Sequence, residues 1–229
     1  MSDLKDLAKY HKSNKYDLGY IDIYEKYFRS IKDKNLNILE IGIDKGPSLK
    51  VWSEYFKNSN IAALDIVPID LQFKNAEIFC GDQTDENFLK SIVNKFKYFD
   101  IIIDDGSHIS NHVIKSFNFL FEHLSVGGLY IIEDLHYSYY PRYGGSRINL
   151  NKKNTSLNFL KSLVDSLNYE NYDRPFYKKS KFNGKINSIN FYQNCAVLKK
   201  GDSKVYFYKN KPKNKFINLV KKFFSILFG

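Results

Sequence analysis

Short apolar runs and helical stretches alternate along most of this chain, and their order carries the first inference about its fold. Residues 3–31 place Tyr10, Tyr16, Tyr20, Tyr24 and Tyr27 among lysines, which predicts one or two helices. Residues 37–43 (NILEIGI) predict a strand running into glycine, and 47–56 a helix with Pro47 in its first turn. Further strands are predicted over 61–67 and 76–80, the latter ending in Gly81-Asp82-Gln83, and a helix over 85–96. The run 99–104 (FDIIID) is almost wholly apolar, as a parallel strand covered on both faces should be. A helix over 113–124, a Gly127-Gly128 turn and a strand over 129–133 complete the rhythm. Strands alternating with helices predict an α/β fold, with a parallel, doubly wound sheet. Beyond it lie a polar segment 137–154 of lid length, a helix over 156–167, and strands over 188–192 and 196–199, a C-terminal antiparallel hairpin. A third candidate strand covers 204–208. The reading is one domain over 1–210, with a helical N-terminal cap over 1–35 and a separate tail over 211–229.

Composition narrows the class. The 229 residues are 43% hydrophobic and 17% aromatic, enough for a substantial core, yet no apolar run is long enough to span a membrane. The N-terminus opens into mixed charge with no apolar leader, and the two cysteines form no CxxC pair. A cytoplasmic setting is expected. The net charge of +10 is uneven: from Arg174 onward there are 14 basic residues against one acid, Asp202. The first three quarters are therefore slightly acidic, which excludes a nucleic-acid surface there.

Ligands of open α/β sheets bind beyond the carboxyl ends of the strands, so the residues found there are informative. The first strand leads into Gly42-Ile43-Asp44-Lys45-Gly46 rather than GxGxxG. Asp44 would repel a dinucleotide pyrophosphate, whereas a cationic sulfonium tolerates it. The loop thus favours S-adenosylmethionine over NAD. Asp65 stands where an acid accepts hydrogen bonds from ribose hydroxyls, and Asp82 and Gln83 could read an adenine edge.

The fourth strand ends Asp104-Asp105-Gly106-Ser107-His108 and the fifth ends Glu133-Asp134-Leu135-His136. If these strands are neighbours, about 4.8 Å apart, then Asp105, Glu133 and Asp134 converge. A divalent cation would relieve their repulsion, Mg²⁺ first and Mn²⁺ next. The alternative is that one or two of them cap helices or pair with lysines. His108 at the same mouth suits a general base for an alcohol, with His136 the competing base. His11, His112 and His123 read as structural.

The run DDGSH (104–108), then GGLYIIEDLHYSY (127–139) and Gly144-Gly145, resembles the macrocin and mycinamicin type of sugar O-methyltransferase. So do ILEIG with Gly46, Ser48 and Trp52, the GDQ at Gly81, and INFYQN at 189–194. The resemblance spans about residues 5–200 and implies a Rossmann-like class I methyltransferase fold with bound Mg²⁺. It implies metal ligands Asp105, Glu133 and Asp134 and a base at His108. Cofactor contacts are implied at Glu40, Gly42, Ser48, Asp65, Asp82 and Gln83, and are expected at Gly46 and Asp104 as well. Where the group shows Thr-Asp-Lys and His-x-Tyr, this chain reads Ser13-Asn14-Lys15 and Leu18-Gly19-Tyr20, so its acceptor is expected to differ. Substrate contacts are expected from Tyr20, Tyr139, Arg142 and Arg147, the arginines toward a phosphate or simply solvated. The expected function is metal-assisted O-methylation of a nucleotide-linked or surface-polysaccharide sugar. The rivals are an NAD-dependent sugar-modifying enzyme and a non-catalytic adaptor that binds S-adenosylmethionine or metal.

The tail 215–229 places Phe216, Leu219, Val220, Phe223, Phe224 and Leu227 on one helical face and Lys221 and Lys222 on the other. Such a helix can lie in a membrane interface or pack on protein, and both readings stay open. A homo-oligomer is expected.

Overall fold

The computed structural model describes residues 3–169 and 180–201. The candidate strand at 204–208 and the amphipathic tail lie outside the described residues. Three helices open the chain: α1 (Leu4–Tyr10), α2 (Asn14–Asp17) and α3 (Tyr20–Phe28). The strands are β1 (Asn37–Ile41), β2 (Asn60–Asp65), β3 (Ala76–Cys80), β4 (Phe99–Asp104), β5 (Leu124–Ile132), β6 (Ile186–Tyr192) and β7 (Cys195–Lys200). Between them run α4 (Pro47–Tyr55), α5 (Glu86–Phe96), α6 (Ser110–Leu120) and α7 (Ser156–Leu167).

The strands form one sheet in the order β3-β2-β1-β4-β5-β7-β6. β1 to β5 pair in parallel, and β7 runs antiparallel to both β5 and β6. The expected doubly wound sheet and terminal hairpin are both present. The strand order reverses between β1 and β4, and at such a switch the crossing helices leave a cleft above the strand ends.

The sheet is coated on both faces. Trp52, Tyr24, Phe28 and Phe56, from α3, α4 and the turn after it, pack over Ile38, Ile101, Ile103 and Ile131. Phe117, Phe121, Phe182 and Leu163 cover Leu39, Ile102 and Tyr130 on the other face. This alternation explains why β4 is apolar at nearly every position. Asp85 caps α5 by accepting the Asn87 and Phe88 amides, and Thr155 caps α7 through Asn158.

Two elements differ from the sequence expectation by three residues or more, the others by two at most. The helix predicted over 113–124 begins at Ser110, ends at Leu120 and closes in a 3-10 turn, Phe121–His123. The strand predicted from 129 begins at Leu124, so Gly127-Gly128 lies inside β5 rather than in a turn before it. The register with β4 shifts between Phe99 and Ile101, and Gly127, at φ +86°, absorbs the irregularity.

Candidate active site

A cavity of about 720 Å³ opens above the carboxyl ends of β1 to β5. One wall carries Gly42, Asp44, Ser48, Asp65 and Asp82; the other carries Asp105, His108 and Asp134.

The first wall is set by a carboxylate. Asp65 Oδ2 accepts the amides of Ile43 and Asp44 at 2.9 and 3.1 Å, and Oδ1 accepts that of Val67 at 3.0 Å. The loop after β1 is therefore tied to the end of β2. A side chain on Gly42 would strike the Asp105 carbonyl, so glycine there lets the loops after β1 and β4 touch. Asp82 accepts the Thr84 amide at 2.7 Å, which holds its pKa below the usual range. Three carboxylates on this wall suit a cationic ligand, and the volume suits one of cofactor size.

The second wall meets the N-terminal cap. Lys15, on the one-turn α2, is 1% exposed, and its ammonium lies 2.6 Å from Asp105 Oδ2, 2.7 Å from Glu133 Oε1 and 3.9 Å from Glu40 Oε1. Tyr24 donates its hydroxyl to Glu133, and Tyr20 donates to Asp134 Oδ1 at 2.6 Å. Burial opposes the charge on Lys15, but Glu133, Asp105 and Glu40 outweigh it and raise its pKa, so the ammonium persists. Burial, with Asp105 adding to it, pushes the Glu133 carboxyl up to about 8, and burial takes Glu40 to about 7.

Single donor atoms of Asp105, His108 and Asp134 lie within 4.8 Å of one another. Two carboxylates and an imidazole at that spacing fit a divalent cation, and three acids, Asp105, Glu133 and Glu40, face the Lys15 ammonium behind them. His108, at φ +57°, stacks on Tyr137 with centroids 4.8 Å apart and planes 9° off parallel. Its Nε2 is 3.7 Å from Asp134 Oδ2. Burial lowers its pKa, against the pull of Asp105 and Asp134, so the imidazole is neutral at pH 7.

The structure thus brings Gly42, Ser48, Asp65, Asp82, Gln83, Asp105, His108 and Asp134 to one cavity. Other expected site residues lie elsewhere. Asp104 is 1% exposed beneath the floor, where it accepts from Ser116 at 2.7 Å and from Gln83 at 3.3 Å; burial takes its pKa to about 6. A cofactor contact at Asp104 is corrected accordingly, because its side chain points into the core. Gln83 borders the cavity, but its amide oxygen accepts the Ser107 N–H at 2.8 Å, so it braces the loop carrying His108 rather than offering a free edge to adenine. Glu40 is fully buried against Trp52 Nε1 at 2.9 Å, and Gly46, at φ +83°, forms the turn into α4. Glu133 sits behind the wall on Lys15 and Tyr24. Tyr20 is buried on Asp134 and is not a cavity-facing substrate contact. His136 lies 3.9 Å from Asp134 Oδ1 without lining the cavity. Tyr139 is exposed in the 3-10 turn Leu135–Tyr139; Arg147 stacks on Tyr140 at 4.5 Å and Arg142 lies 6.0 Å from the Tyr143 ring.

Sequence reasoning gave Lys15 and Tyr24 no role at the acids and read His112 as structural. His112 borders the cavity and shares a 2.9 Å hydrogen bond with Ser107 Oγ. The signal for Lys15 was indirect: three converging acids require a cation, and lysine was one of the two kinds available.

No family model matches this chain. It is 36% identical over 210 residues to the 8-demethyl-8-(2-methoxy-alpha-L-rhamnosyl)-tetracenomycin-C 3'-O-methyltransferase of Streptomyces olivaceus, covering 87% of this chain and 54% of that protein. It is 33% identical over 213 residues to the mycinamicin VI 2''-O-methyltransferase of Micromonospora griseorubida, covering 87% and 53%. The chain spans about half the length of these curated relatives. A structure of the MycE methyltransferase from the mycinamycin biosynthetic pathway, in complex with Mg and SAH, matches with a TM-score of 0.86 at 30% identity, over 96% of this chain and 60% of that one.

Proposed function

From its membership of the macrocin and mycinamicin type of sugar O-methyltransferase family, with the class I methyltransferase fold, we propose that this chain transfers a methyl group from S-adenosylmethionine to a sugar hydroxyl. The observation that carries the reading is the pairing, in one cavity, of an acidic cofactor-sized wall with Asp105, Asp134 and a neutral His108.

When bound, S-adenosylmethionine supplies an electrophilic methyl group, and a divalent cation supplies Lewis acidity at the acceptor oxygens. Asp44, Ser48, Asp65 and Asp82 would hold the first. Asp105 and Asp134 would hold the second, with Glu133 behind them adding negative charge and a further candidate ligand. His108 takes the proton from the acceptor hydroxyl. Its neutral state at pH 7 makes it a competent base, and Tyr137 fixes the ring plane. His136 is the alternative base. The segment after β5 packs Tyr140 and Tyr143 against Tyr137, an aromatic shelf behind the base.

A finer reading is an acceptor sugar that carries phosphate, as a nucleotide-linked sugar or polysaccharide precursor does; Arg142 and Arg147, now seated on Tyr143 and Tyr140 outside the cavity, would have to turn to it. The test is a panel of nucleotide sugars and glycosylated macrolides incubated with labelled S-adenosylmethionine and Mg²⁺, read by mass spectrometry. Transfer to a nucleotide sugar, abolished by EDTA and restored by Mg²⁺, is the expected result. Undiminished turnover in EDTA would remove the cation. Cofactor binding without transfer to any sugar would leave only an adaptor.

A further inference from the structure

Asp105 belongs to two groupings at once. On the inner side its carboxylate touches the Lys15 ammonium at 2.6 Å, together with Glu133 at 2.7 Å and Glu40 at 3.9 Å. On the cavity side it joins His108 and Asp134 in the group able to hold a divalent cation. Lys15 is 1% exposed and does not line the cavity, so its charge serves the cluster and not the solvent. It reaches the sheet from α2, 90 residues from Asp105 and 118 from Glu133.

We propose that Lys15 is a positioning residue that acts as the resident counter-cation of the acidic cluster: it holds Asp105 and Glu133 together when no divalent ion is bound, and it competes electrostatically with that ion for Asp105. The inference rests on the reading that Asp105 and Asp134 hold a divalent cation. Two effects oppose each other. A hydrogen bond that orients a ligand strengthens metal binding, by about 10–100-fold where such partners have been removed. A positive charge sharing a carboxylate with the metal weakens binding, strongly in a buried site that salt screens poorly. The second effect prevails here. Tyr20 and Tyr24 still orient Asp134 and Glu133 once the lysine is gone, so the orientation lost is that of Asp105 alone.

The test is Mn²⁺ titration of the full chain without cofactor, followed by electron paramagnetic resonance, for wild type, Lys15→Met and Lys15→Arg. Lys15→Met is expected to bind Mn²⁺ about tenfold tighter or more, and Lys15→Arg, which keeps the charge, within about threefold of wild type. In thermal unfolding, Lys15→Met should lose stability in EDTA and recover more than wild type on adding Mn²⁺. If Lys15→Met is unfolded in EDTA, circular dichroism must show Mn²⁺ restoring the fold; a chain still unfolded at saturating Mn²⁺ overturns the proposal. Equal or weaker Mn²⁺ affinity in folded Lys15→Met overturns it as well. Wild type that binds no Mn²⁺ would remove the underlying cation reading, a result distinct from either.

Discussion

The cavity wall at the ends of β1 to β3 is built from short-range contacts. Asp65 reaches amides 21 and 22 residues back and one two residues ahead, and Asp82 turns onto the Thr84 amide two residues on. The wall at the ends of β4 and β5 is built from distant ones. Lys15, Tyr20 and Tyr24 meet Asp105, Glu133 and Asp134 across 90 to 118 positions. The first wall depends on the order of neighbouring strands and the loops that leave them. The second also depends on the N-terminal cap lying against the sheet. Cofactor binding and cation chemistry should therefore be separable by mutation, although both share one cavity.

The sharpest way to break that separation is Asp105→Asn. Methyl transfer should fall by about 10³-fold or more, since a carboxylate at the cation is lost, and Mn²⁺ binding should weaken. Calorimetry with S-adenosylhomocysteine should show affinity within about threefold of wild type. A parallel loss of cofactor affinity would mean that the two walls are one unit.

His108→Gln should lower kcat by about 10²–10⁴-fold while leaving cofactor affinity intact. The same titration with Mn²⁺ decides its role: a large loss of metal affinity would make His108 a ligand and leave His136 as base. In wild type the base works deprotonated, and burial holds His108 below the ordinary 6.5. The kcat/KM profile should rise with pH, with its midpoint below 6.5, and stay level above about 7.

Asp65→Asn tests the other wall. Losing the charged acceptor for the Ile43 and Asp44 amides should loosen the loop after β1 and weaken cofactor binding by about tenfold. Mn²⁺ affinity should not move.

The smallest effect is on stability. Glu133 and Glu40 are raised from 4.5 to about 8 and about 7. Groups raised on folding contribute stability that is whole below 4.5 and is lost as pH climbs through the folded values. The melting temperature of metal-free protein should drop by a few degrees between about pH 5 and 8. Mg²⁺ should flatten the slope, because it favours the ionised cluster. A flat profile without metal would show that Lys15 alone already balances the acids.

Much of this molecule was legible from residue order. The bounds of β3, β4 and α7 match the expected 76–80, 99–104 and 156–167. Strands covered on both faces must be apolar, and capped amphipathic helices carry their own start signals. Asp65, Asp105, His108 and Asp134 were legible because a parallel sheet delivers its strand ends to one edge. Asp104 lies beneath the floor, and Gln83 borders the cavity with its amide already engaged, for one physical reason. An amide or carboxyl beside the ligand edge serves equally well as a brace beneath it, and only the side chain's direction tells which.

Residue order by itself therefore determined the sheet, its doubly wound character, the strand-end acids and their tendency to gather. Tertiary structure alone decided what meets those acids. Apart from the match of Ser13-Asn14-Lys15 to the Thr-Asp-Lys of the family, nothing near Lys15 in the chain tells which groups it will meet. Packing of α1 to α3 against the sheet removes water from one amine and leaves it facing Asp105 and Glu133. The physical reason is that a charge is neutralised by what folding places within a few ångströms of it, and that distance is not written in sequence separation.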